Sequence, residues 1–90
     1  MVARVATFDA LPDDLNDDAV DLLRETVRGV PGYVAGFHLR DPDTGKALSV
    51  AVFEDRAAIQ RCRQALDSRP DDKKVGVAPG RVEFYQAFPF

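Results

Sequence analysis

The stretch Pro31–Phe53, PGYVAGFHLRDPDTGKALSVAVF, constrains the fold of this 90-residue chain more than any other. Two runs rich in aromatic and β-branched residues alternate in polarity on either side of Asp41-Pro42-Asp43-Thr44-Gly45-Lys46, the pattern of two strands joined by a tight turn. The turn admits two registers, and a slip of one residue would send every side chain to the opposite face. A loop over Pro42–Gly45 is preferred, because Gly45 adopts a positive φ without strain and Asp41 then faces Lys46. In that register Tyr33, Ala35, Phe37 and Leu39 share one face with Leu48, Val50 and Val52. Val34, Gly36, His38 and Arg40 share the other with Ala47, Ser49, Ala51 and Phe53. The alternative register mixes the two sets.

The flanking segments look built to cover this hairpin. Met1–Phe8 reads as a first strand. Leu15, Ala19, Leu22, Leu23, Val27 and Val30 then recur at steps of three and four, the stripe of an amphipathic helix. Asp13, Asp14, Asp17 and Asp18 gather at its start, where unpaired backbone N–H groups and the helix dipole favour anions. Arg24 and Arg28 lie towards its end, and Gly29 and Pro31 stop it. Glu54-Asp55 opens a second helix with Ala58, Ile59, Cys62, Ala65 and Leu66 as its apolar stripe. Ser68–Gly80 reads as a loop with a short extended piece at Val75–Val77, and Arg81–Phe88 as a last strand.

The resulting β-α-β-β-α-β order predicts one α+β domain over residues 1–90, ferredoxin-like, with both helices on one face of an antiparallel sheet. Both hairpin faces carry apolar side chains, and two helices can cover only one. The remaining face is therefore expected to pack against a second copy of the chain, as a homodimer.

Composition narrows the function classes. Residues 1–45 hold nine acids and four bases and residues 46–90 six acids and eight bases, so the net charge of −3 divides as −5 and +2. That balance offers no nucleic-acid footprint. RNA-recognition domains share this element order, but they place stacking aromatics on strands one and three, whereas Gly32-Tyr33-Val34-Ala35-Gly36-Phe37 falls on strand two. No apolar run approaches the roughly 20 residues that span a bilayer, and no leader pattern is read at the N-terminus, so a cytoplasmic protein without a membrane partner is expected. The lone Cys62 lies on a helix stripe and reads as a buried, inert thiol. Asp41-x-Asp43-x-Gly45 lacks the later ligands of a calcium loop, and no metal site is expected. Hydrolase, nucleotide-binding and zinc signatures are missing from the chain.

Val30-Pro31-Gly32-Tyr33 with Gly36, the glycine-containing turn, and Val50-Ala51-Val52-Phe53-Glu54-Asp55 opening a helix together resemble the dimeric α/β-barrel superfamily. More narrowly, they resemble antibiotic-biosynthesis-monooxygenase (ABM) domains. The resemblance spans nearly the whole chain through short, tolerant motifs. It implies a dimer with facing sheets and a ligand cavity between sheet and helices in each subunit. It also implies either a cofactor-independent monooxygenase acting on an aromatic or polyketide-like small molecule, or a non-catalytic ligand-binding or accessory domain. Two departures stand out. Phe53 holds the place where oxygenase members commonly carry Trp, and residues 54–67 contain no histidine, which argues against haem degradation.

Candidate chemistry centres on His38, the single histidine. Its ordinary pKa near 6.5 suits general acid–base work. It shares a face with Gly36, Arg40, Ser49 and Phe53, beside Ala47 and Ala51, whose small side chains leave room for a ligand. The plain alternative is a strand histidine that is hydrogen-bonded and inert. Tyr33 and Tyr85 could each donate to a substrate oxygen, and Tyr85 joins the expected substrate-binding set. Periodicity alone would turn the Tyr33/Phe37/Val50 face to the helices, whereas the resemblance turns the His38 face to them. The second placement is adopted, with no cofactor.

Overall fold

A computed structural model describes residues 1–12, 15–71 and 74–90. The hairpin closes as its turn chemistry requires. Gly45 takes φ 75°, its N–H reaches the Asp41 carbonyl at 2.9 Å, and the Asp41 N–H reaches the Lys46 carbonyl at 2.8 Å. The Asp41 carboxylate accepts from the Asp43 N–H at 2.9 Å, an Asx turn that tightens the loop and lowers the pKa of Asp41. The preferred register is therefore the observed one.

The hairpin strands are β2 (Tyr33–Arg40) and β3 (Ala47–Phe53); β1 (Val2–Phe8) precedes them and β4 (Arg81–Gln86) closes the chain. They form one antiparallel sheet in the order β2-β3-β1-β4, which with helices α1 (Asp17–Arg28) and α2 (Arg56–Asp67) is the ferredoxin-like α+β arrangement. The last strand ends at Gln86, short of Phe88, and Val75–Val77 forms no strand.

Cross-strand partners point to the same side of an antiparallel sheet. The pairs place Tyr33, Phe53, Val2 and Gln86 in one row, Gly36, Ala51, Arg4 and Phe84 in the next, and His38, Ser49, Ala6 and Val82 in a third. This is the helix side. Phe53, 1% exposed, packs there with Val30 and with Ala58 and Cys62 of α2, and burial of the Cys62 thiol raises its pKa, opposed by Arg4. The opposite face carries Ala35, Phe37 and Leu39, with Leu48, Val50 and Val52. It is open to solvent, Phe37 being 61% and Leu39 49% exposed.

One departure reshapes the hairpin. Tyr33 pairs with Phe53 and Ala35 with Val52, so Val34 is an extra residue, a β-bulge. The bulge moves Tyr33 off the Phe37 face onto the helix side, where its ring meets Phe53 edge-on at 6.2 Å. Each helix is capped by one side chain. Asp55 accepts from the Ala58 N–H at 2.9 Å, as its position predicts. On α1 the cap is Asn16, accepting from the Ala19 N–H at 3.2 Å, with Asp17 and Asp18 in the first turn. Leu15 precedes the helix rather than belonging to its stripe, and Asp13 and Asp14 lie outside the described residues.

Candidate functional site

The site residues inferred from sequence separate into three groups. Gly36, His38 and Ser49 stand together on the helix side of the hairpin. Arg40 continues that face to the hairpin tip, where it lines a shallow depression of about 380 Å³ with Leu39, Asp41, Lys46 and Leu48; His38 does not line it. Phe53 is also on the helix side but is consumed by the core at 1% exposure, so its ring offers nothing to a ligand. Tyr85 is the outright misfit. It pairs with Ala3, which pairs with Val52, and the sheet therefore lies between Tyr85 and His38. There its hydroxyl donates to Glu83 at 2.8 Å, a hydrogen bond that raises its pKa, and Glu83 in turn meets Arg81 at 3.0 Å.

His38 faces α1. The Arg24 Nε–H donates to His38 Nδ1 at 2.9 Å, and the Arg24 guanidinium also pairs with Asp21 at 3.5 Å. The Arg24 guanidinium thus links a carboxylate on α1 to an imidazole on β2. His38 is solvent-exposed, yet partial burial of the ring, with the positive charge of Arg24 adding to it, lowers its pKa from the ordinary 6.5. A neutral ring is what this setting favours.

One contributor escapes a reading from sequence, and another, named there as a donor, is read on the wrong face. Arg24 looks there like a cation near a helix end and no more; nothing local links it to a strand residue fourteen positions on. Tyr33 falls on the wrong face by strict alternation. Its hydroxyl lies over Gly36, where a Cβ would stand 3.1 Å from Oη, so the phenol caps the small residue beside His38. The glycines on either side of Tyr33-Val34-Ala35 are the cue a bulge would leave. Among the described residues, no group of three or more His, Cys, Asp or Glu could hold a metal ion, and no helix is long and apolar enough to cross a membrane.

The fold defines the class: a ferredoxin-like α+β domain of the kind seen in antibiotic biosynthesis monooxygenase structures. SnoaB, a cofactor-independent oxygenase from Streptomyces nogalater solved as a point mutant, is similar over 99% of this chain and 94% of its own, with a TM-score of 0.74 and 17% identity. A Bordetella bronchiseptica protein classed with the antibiotic biosynthesis monooxygenases is similar over 98% and 97%, with a TM-score of 0.72 and 18% identity. The monooxygenase ActVA-Orf6 of Streptomyces coelicolor, solved with the ligand nanaomycin D, is similar over 99% and 88%, with a TM-score of 0.61 and 20% identity. No family model matches the chain and no curated relative matches it. At these identities the likeness is one of fold.

Proposed function

We propose that this chain is a cofactor-independent monooxygenase acting on an electron-rich aromatic or polyketide-like small molecule, with its site at His38, Ser49 and Gly36. The observation that supports this most is the Arg24–His38 hydrogen bond. It puts an exposed polar pair between sheet and helices in a fold shared with SnoaB and ActVA-Orf6.

The reaction class needs no group beyond substrate and dioxygen. A ring CH₂ flanked by aromatic carbonyl or phenol groups loses a proton to water. The carbanion donates its electron pair to O₂, forming a C–O bond and a peroxide that takes up a proton. Cleavage of the O–O bond, with loss of the remaining hydrogen from that carbon, leaves a carbonyl and releases water. The sum is CH₂ + O₂ → C=O + H₂O, with carbon oxidised and dioxygen reduced. The protein's part is to hold the ring and to stabilise negative charge on its oxygen through His38, with the Tyr33 hydroxyl nearby.

A homodimer through the open Phe37/Leu39/Val50 face belongs to the same reading. Oxygen uptake with hydroxylated anthrones tests the activity. One O₂ should be consumed per anthraquinone formed, and His38→Ala should lower kcat/KM by about 100-fold, the usual scale for one positioned polar group. Uptake no faster than in buffer would leave a non-catalytic ligand-binding domain instead.

A further inference from the structure

We propose that Arg24 is a positioning residue that holds His38 as an Nε2–H donor, so that the site takes its ligand by an anionic oxygen, as a phenolate, enolate or carboxylate. The proposal rests on the siting of the ligand at His38 given above, but not on the oxygen chemistry.

Arginine has five N–H donors, no acceptor, and does not lose its proton in proteins. Whichever ring nitrogen faces the Arg24 Nε–H at 2.9 Å must therefore present a lone pair, and that nitrogen is Nδ1. The single proton of the neutral ring is then on Nε2. Protonating Nδ1 would set two cationic N–H groups against each other at the same distance, so the hydrogen bond and the positive ring exclude one another. Asp21, on the same face of α1 one turn earlier, meets the other end of the guanidinium at 3.5 Å and steadies it towards the strand.

The consequence inverts the role that histidine chemistry suggests. A base must offer a lone pair to the substrate, and the lone pair of His38 is already in use. What remains is a donor. A ligand bearing an oxyanion accepts from Nε2–H and gains a charge-assisted hydrogen bond. An uncharged hydroxyl compound offers the poorer acceptor. The substrate is thus bound as the anion, its oxygen ionised, and His38 recognises that state.

The experiment uses the full chain labelled with ¹⁵N, in which His38 gives the sole imidazole signals. At pH 7.5 the wild type should show Nδ1 unprotonated and shifted as a hydrogen-bond acceptor, with Nε2 protonated. In Arg24→Gln, Nδ1 should move towards the position of a free ring, the backbone amide spectrum confirming that the fold survives loss of a half-exposed side chain. The anion 1-naphthoate should perturb Nε2 and bind at least about tenfold more tightly than the uncharged 1-naphthalenemethanol, a preference of about 1.4 kcal/mol, falling to about twofold in Arg24→Gln. An Nδ1 signal unmoved by Arg24→Gln overturns the assignment of Arg24. Equal affinities, or neither compound perturbing His38, overturn the ligand class. Failure of oxygen uptake with these NMR results intact would remove the monooxygenase and leave the anion site.

Discussion

Because the ring is partly desolvated and the positive charge of Arg24 stands beside it, protonation of His38 is harder in the folded chain than in the unfolded one. The sign follows from linkage. With the folded pKa below the ordinary 6.5, the unfolded chain binds the proton first as pH falls. Stability is full above that value and declines below it, until the folded ring titrates as well. Urea unfolding at stepped pH should show the wild type losing stability relative to His38→Gln between pH 7 and 5; parallel profiles would show that the ring is not held neutral. Gly32 is tightly constrained as well. It has φ 96° and lies where a Cβ would stand 2.6 Å from the Ala58 Cβ. Gly32→Ala should therefore cost at least about 2 kcal/mol, through left-handed backbone strain and overpacking against α2. A melt within a degree of wild type would contradict it. Neither Arg24 nor the Gly32–Ala58 contact could be read from the sequence, since both join residues that only the folded chain brings together.

Elements are more legible than their junctions. Gly45 and the Asp41–Lys46 pairing announce the turn because turn chemistry is local, and Ala58, Ile59, Cys62, Ala65 and Leu66 announce the buried stripe of α2 because helical period is local too. The start of α1 is blurred by an excess of suitable caps. Several acids and one asparagine compete there, and Asn16 takes the position. The α2 cap is unambiguous: Asp55→Ala should cost about 1 kcal/mol, since the Ala58 N–H loses its acceptor, while Asp55→Asn should recover most of it. Equal melting temperatures for wild type and Asp55→Ala would show that solvent replaces the carboxylate.

At the scale of the whole molecule, the helices account for one side of the sheet and leave the other unexplained. Phe37, Leu39 and Tyr85 are each about half exposed or more, and the β4 end of that face carries the Arg81–Glu83–Tyr85 ladder. An apolar centre edged by polar groups is the anatomy of a protein interface. We expect light scattering at micromolar concentration to give twice the chain mass, and Phe37→Lys to return it to one, because a buried unpaired charge is costly there. A wild-type monomer would refute this. Two apolar faces are evident in the sequence; the helices take the one that carries Phe53, which packs with Val30, Ala58 and Cys62, and a period-two pattern alone does not select it.

The same bulge has an effect on a different hazard. β2 is an edge strand, and its outer backbone groups are a template on which any extended chain could add itself. A regular eight-residue edge would offer that template without interruption. The extra residue at Val34 shortens the regular edge to residues 35–40 and twists the strand at its start, so an incoming strand loses register at that end. Deleting Val34 should restore a continuous edge and shorten the lag of thioflavin-T-positive aggregation, whereas an unchanged lag would mean the edge is protected by other means. One inserted valine turns a tyrosine inward, and the same residue is expected to shorten the stretch of border on which a fibre could seed.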